Sequence, residues 1–153
     1  MDKSSIFLSA NNIFLLGWLC LFCSVFLTRR PRIQSAMSTI GGRLIPLFLF
    51  GCFFAGFLIT RDTQLKGDIF TFQGIIALFS AEERLLNIWI ELLALMLVAT
   101  NWMLEDARTR GLHVGFQVLV AGVSFFSAGI AYLVYMVCLG IRATAHKISA
   151  KGA

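Results

Sequence analysis

Residues 85–104, LLNIWIELLALMLVATNWML, decide the fold. Wound as an α-helix, twenty residues cover about 30 Å, the thickness of a bilayer's hydrocarbon core. One ionisable group, Glu91, stands inside the run. On insertion scales such a side chain near mid-membrane costs about 2.5–3.5 kcal/mol, so it faces a bundle interior or a water-filled path and marks function. Glu105, Asp106, Arg108, Arg110 and Gly111 follow directly, the pattern of a helix leaving lipid for water and ending on a glycine.

The rest of the chain agrees with a membrane setting. Hydrophobic residues make up 58% of 153 and mean hydropathy is +0.83. Only 14% are charged, well under the roughly 25% of soluble domains. Four apolar runs, residues 9–27, 44–60, 85–104 and 114–141, predict an all-α integral membrane bundle of four transmembrane helices, one domain over residues 1–153. Pro31 and Gly41–Gly42 are expected in the loop between the first two. The first run reads as a retained helix, because Thr28, Arg29, Arg30 and Pro31 follow it where a cleavage site needs small residues.

Residues 69–79, IFTFQGIIALF, are too few to cross, so this segment is expected to lie in the interface or to re-enter, as a lid on one mouth of the bundle. Ser80 and Glu83 have the spacing of a capping box opening the third helix near Ala81. The net charge of +5 comes mostly from span ends and forms no basic, aromatic-interleaved face. That excludes a nucleic-acid partner and makes the lipid bilayer the expected one. With four spans, seven Lys and Arg fall on the side of both termini and six on the other. Four of those six (Arg29, Arg30, Arg32 and Arg43) crowd the short first loop, which favours both termini outside the cytoplasm.

At about 100° per residue, Asn87, Glu91, Ala94, Val98, Asn101, Trp102 and Glu105 share one stripe. Small residues form seams elsewhere: Gly17, Cys20 and Ser24; Gly51 and Ala55; Ala121, Ser124, Ala128 and Ala131. Such seams let helices approach closely in lipid, so a tight bundle with the Glu91 stripe inward is expected. The cysteines lie in apolar runs and behave as small hydrophobes. His113 and His146 lie outside the runs, so the intramembrane histidine pair of a haem protein is missing. With no nucleotide-binding glycine loop, nucleophile elbow or zinc helix motif, neither metal nor cofactor is expected.

Within residues 70–113, Phe72, Gly74, Leu78, Phe79 and Ser80, then Trp89, Leu93, Ala94, Leu97, Trp102, Asp106, Ala107, Arg110 and Gly111 form a recognisable set. It resembles the abscisic-acid-deficiency type-four family, small plastid membrane proteins needed to make neoxanthin from violaxanthin, with many bacterial relatives. The resemblance implies a carotenoid-related, multi-pass membrane protein, an isomerase or epoxide-opening activity on a xanthophyll, and a bacterial inner membrane as its place. The family has a histidine two residues after the first tryptophan and an aspartate five further on. Here those positions are Glu91 and Met96.

Epoxide opening or a double-bond shift needs a proton donor beside a dry, apolar slot, and burial favours the neutral carboxyl that can donate. Glu91 is the candidate catalytic acid; Trp89, Asn87, Asn101, Trp102 and Asp106 are the candidate ligand-binding residues. Three alternatives stay open. The asparagines and Glu91 can be interhelical hydrogen-bond glue and the tryptophans interfacial belt residues. The chain can be a non-catalytic bundle binding a carotenoid or other isoprenoid, or stabilising a membrane-protein complex or homo-oligomer. Transport would want Glu91 on a gated water path, for which a bundle without an internal repeat has little room.

Overall fold

The computed structural model describes residues 2–59 and 71–151, all helix and connection with no strand among them. The elements are α1 (Lys3–Phe26), α2 (Pro31–Thr39), a π-turn (Ile40–Leu44), α3 (Ile45–Ile59), α4 (Phe72–Ser80), α5 (Glu82–Thr109), α6 (Val114–Phe126) and α7 (Ala128–Lys151). Three helical stretches are long and apolar enough to cross a membrane: Lys3–Phe26, Pro31–Leu58 and Glu82–Thr109.

The second of these corrects the expected boundary. Pro31 opens a helix instead of lying in a loop, as a first-turn proline can, since its missing N–H has no intrahelical partner there. Gly41 and Gly42 sit inside the helix, in the π-turn. Pro46 accounts for that turn: it cannot donate to the carbonyl of Gly42 and its ring crowds it. The backbone widens one turn to compensate, with Ile45 N donating to Ile40 O. The two glycines serve close packing. A Cβ on Gly41 would overlap the carbonyl oxygen of Gly17, and one on Gly42 would overlap Asn101. The seam expected at Gly51 and Ala55 is wrong, since both are exposed; Gly42, Leu49 and Gly56 form it, with Gly56 against Asn87.

The last apolar run also departs from expectation. Residues 114–141 do not make one span but two helices that meet at Ser127 and fold back on each other. In a single straight helix Phe116 and Tyr135 would stand about 28 Å apart. Their rings stack with centroids 6.0 Å apart, and Arg142 Nη1 reaches Arg110 O at 3.2 Å. Ser127 ends α6 in extended backbone, and its hydroxyl accepts from Ile130 N at 3.3 Å, capping α7. Gly111, at φ 62°, closes α5 in the left-handed conformation a glycine tolerates, with Leu112 N bonded to Ala107 O at 2.9 Å. Both ends of the hairpin therefore lie at the Arg110 end of the bundle.

Ala81, not Ser80, precedes α5, and no side chain caps it; Glu82 and Glu83 reach instead across to Lys3 at 3.1 and 3.5 Å. The described part of the predicted interfacial segment is α4, nine residues or about 14 Å, capped by Thr71. Its residues 69 and 70, like Thr60, Arg61 and Lys66, lie outside the described residues.

The core joins α1, α3, α5 and α6 through Phe14, Leu21, Val25, Leu49, Leu93, Ala94, Leu97, Leu104 and Ala121. A smaller cluster of Met103, Ala107, Val120, Ala131 and Tyr135 closes the hairpin onto α5. Trp18 Nε1 donates to Ala121 O at 2.9 Å, tying α1 to α6. The buried face of α5 centres on Leu93, Leu97 and Leu104, about a quarter-turn from the expected inward stripe. Asn87, Ala94 and Asn101 edge that face toward α3, while Val98 and Trp102 are exposed.

Candidate ligand-binding cleft

The hairpin's shortness makes the cleft. α6 has 13 residues, about 20 Å, while α5 has 28, about 42 Å. The hairpin tip therefore stops beside the middle of α5. Between that tip and the upper halves of α1 and α5 lies a cleft of about 710 Å³. Phe14 and Leu15 line it from α1, Leu92, Leu93, Leu95, Met96 and Ala99 from α5, and Phe125 to Gly129 from the tip. None of its lining residues is charged. Its polar groups are Asn11, Asn12, Ser127 and the Trp89 indole. Trp89 is fixed there by stacking on Phe7 and by donating from Nε1 to Asn11 Oδ1 at 3.3 Å, while Asn11 Nδ2 donates to Phe7 O at 2.7 Å. An apolar slot with a few convergent hydrogen-bonding groups suits a long apolar molecule carrying an oxygen at one end.

The sequence-picked residues do not form one site. Trp89 lines the cleft. Asn87 packs on Gly56 of α3. Asn101 is buried beside Gly42 and accepts from Ser38 Oγ at 2.7 Å. Trp102 packs against Tyr132 and Tyr135. Asp106 accepts from the Tyr135 hydroxyl and pairs with Arg110 Nε at 2.7 Å, which holds the Arg110 guanidinium above its usual range. Asn87 and Asp106 are nineteen residues apart, roughly 28 Å of helix. Glu91 is half-buried, makes no hydrogen bond or ion pair with described residues, and does not line the cleft. Met96 does line it. Positions i and i+5 of a helix diverge by about 140°, so residues 91 and 96 face different surroundings.

Sequence reasoning missed a second polar cluster, at the opposite end of the bundle. Arg108 donates to the hydroxyls of Ser24 and Ser38, the latter at 3.5 Å, and Gln34 Nε2 donates to Ser24 O at 3.0 Å. Arg43 pairs with Glu105 at 3.2 Å. Gln34 and Ser38 carry no spacing signal, while Ser24 reads as part of a small-residue seam and Glu105 as part of the α5 stripe. Arg108 has a signal only as a basic residue in the last turn of α5.

A profile of the family described as ABA DEFICIENT 4-like matches residues 5–135. The chain belongs to that family. No curated protein and no solved structure matches it. The matched range runs from the start of α1 through the hairpin tip to Tyr135, and so takes in every residue of the cleft.

Proposed function

We propose that this ABA DEFICIENT 4-like protein takes a carotenoid or kindred isoprenoid into the cleft, seating an oxygenated end ring against Asn11, Asn12 and Ser127 and leaving the chain to run out into lipid. The observation that carries this reading is the uncharged cleft opened by a hairpin that stops half-way. Between membrane-length helices the chain exchanges lipid contacts for packing contacts, and a hydroxyl or epoxide oxygen finds donors at the rim that lipid tails lack. The backbone N–H groups of Ala128 and Gly129, in the first turn of α7, add donors at the tip, that of Ile130 being taken by Ser127.

The catalytic form of the reading gives Glu91 the proton donor's role in isomerisation or epoxide opening. The proton delivered to the epoxide oxygen as its C–O bond breaks is balanced by one lost from the polyene. What favours it is a carboxyl without a partner among the described residues, about a third of the way along a membrane-length helix. The binding form needs no acid. Both predict bound pigment: the binding form seats it in the cleft, and the catalytic form also brings the reacting ring to Glu91, which stands outside the cleft lining.

The test is expression in a carotenoid-producing host, purification in mild detergent, and the absorbance spectrum and composition of bound pigment. Leu92→Trp, which puts an indole into the cleft from a position 46% exposed, should leave the protein folded and pigment-free. Pigment bound equally by wild type and Leu92→Trp would sink the reading. Glu91→Gln separates its two forms: catalysis predicts bound pigment that is no longer converted, binding alone predicts no change.

A further inference from the structure

Among the described residues, Arg108 is a half-buried cation whose hydrogen-bonding partners are both neutral, the hydroxyls of Ser24 and Ser38. Its Nε is sealed from solvent and meets no acceptor. Charges taken out of water are ordinarily paired, because an unpaired one forgoes hydration without return. Beside it lies a pocket of about 230 Å³ lined by Gln34, Ser35, Ser38, Thr39 and Arg43 as well as Arg108 itself. The one carboxylate lining that pocket, Glu105, is paired with Arg43 and acts on Arg108 only through space, with no hydrogen bond or ion pair between them. Two guanidinium groups, three hydroxyls and an amide thus converge on a small polar hollow in an otherwise apolar bundle. Arg29, Arg30 and Arg32 stand in the turn and first helical turn beside it.

We propose that this pocket between α2 and α5 binds a phosphate group, the headgroup phosphodiester of an anionic lipid or a free phosphate. The chemistry is that of the lining. Guanidinium forks match the spacing of phosphate oxygens, and the Ser35 and Thr39 hydroxyls supply further donors a tetrahedral oxyanion accepts, Ser38 giving its proton to Asn101. Basic pockets between helices at the membrane surface take headgroups in the same way. A bound phosphate completes Arg108's electrostatics and ties α2 to α5, since the hydroxyls come from the first helix and Arg108 from the second.

The test is native mass spectrometry of the full chain in mild detergent, titrated with phosphatidylglycerol and separately with inorganic phosphate, with phosphorus NMR reading the phosphate arm. The expected result is one saturable adduct in wild type. Arg108→Gln should weaken it by about tenfold or more, the loss of one charge-assisted hydrogen bond. Because Arg108→Gln disturbs a packed helix, Ser35→Trp provides a second route. Ser35 is exposed, so the indole fills the pocket without touching the core and should abolish the adduct. Adduct formation with phosphatidylglycerol alone assigns the site to a headgroup; adduct formation with both assigns it to phosphate at large. The proposal is overturned by no saturable adduct with either, by an adduct that survives Ser35→Trp, or by an equal loss in Arg29→Gln/Arg32→Gln, which would make the attraction diffuse charge.

Discussion

At the arginine end, α1, α2 and α5 are tied by hydrogen bonds among Ser24, Gln34, Ser38, Asn101 and Arg108. At the other end the same α1 and α5 are joined by Phe7, Asn11 and Trp89 and by Lys3 with Glu82, and the uncharged cleft opens below them. The difference follows from where the last hairpin lies. It fills the arginine end, where Tyr135 and Arg142 return to Asp106 and Arg110, and it leaves the other end short of a fourth helix. One end is built to be closed, polar and positive. The other is left open, with an uncharged and mostly apolar cleft.

Charge sharpens the contrast and yields the largest expected effect, an all-or-none one. Among the described residues, the hairpin carries Arg142 to the same end as Arg29, Arg30, Arg32, Arg43, Arg108 and Arg110, seven cations against Glu105 and Asp106. The opposite end has Lys3 and Arg84 against Asp2, Glu82 and Glu83. By the positive-inside rule the arginine end is the one expected to face the cytoplasm. A single cysteine introduced at Thr28 in a cysteine-free chain should resist a membrane-impermeant maleimide applied outside, while one at Ser4 should react. The reverse pattern would turn the molecule over; equal labelling of both would mean that α1 does not cross the membrane.

Packing differs between the ends as strongly as charge does. Gly41→Ala sets a methyl group against the backbone carbonyl of Gly17, which cannot swing aside as a side chain would. The expected loss is about 3 kcal/mol, the upper part of the range for overpacking, read as a lowered unfolding midpoint in detergent. Gly51→Ala is the matched control. Its Cβ meets nothing within 4 Å, so the same change should stabilise α3 by about 0.5–1 kcal/mol. Equal destabilisation by both would show that the π-turn is not where the helices lock.

Ser38→Ala probes the polar tie itself. It removes the donor to Asn101 Oδ1 and one acceptor of Arg108 together, leaving buried polar atoms unpaired at about 1–3 kcal/mol. Asn101→Leu in the same background should cost much less than it does alone, because the two side chains share one bond. Strictly additive losses would mean that the Ser38–Asn101 bond does not form in the bilayer.

The helical class and the membrane-length α5 were legible because a twenty-residue apolar run has few other structures open to it. Gly111 was legible for a similar reason, since a glycine after a charged last turn is a local signal that needs no partner. The hairpin was not. Residues 114–141 are apolar throughout, so nothing in their hydropathy distinguishes a span of 28 residues from two shorter helices folded at Ser127. A serine inside an apolar run reads equally well as packing seam or helix break. Gly41–Gly42 reads as a turn in sequence and acts as a contact surface in space, because Pro46 downstream reshapes the turn that holds it. The cleft was half legible: Trp89 was singled out, but Asn11 and Phe126 acquire a role only once the hairpin tip is placed. Glu91 was conspicuous because charge is rare in lipid, and rarity says nothing about which face a residue occupies.

The smallest expected effect separates charge from stability at the arginine end. Arg43 and Glu105 form an ion pair between side chains that are 65% and 41% exposed. Such pairs are worth about 0–1 kcal/mol, since water and salt screen them and two long side chains must be held still. Glu105→Gln should therefore shift the unfolding midpoint within about 0.5 kcal/mol. Its effect on the pocket should run the other way. With the carboxylate gone, Arg43 keeps its charge beside Arg108 and nothing in the lining opposes an anion, so the phosphate adduct should strengthen by a few-fold at low salt and converge with wild type as salt rises. A Glu105→Gln protein that unfolds much earlier would make the pair a structural strut, and one that binds phosphate more weakly would place Glu105 among the groups that orient Arg43 for the ligand.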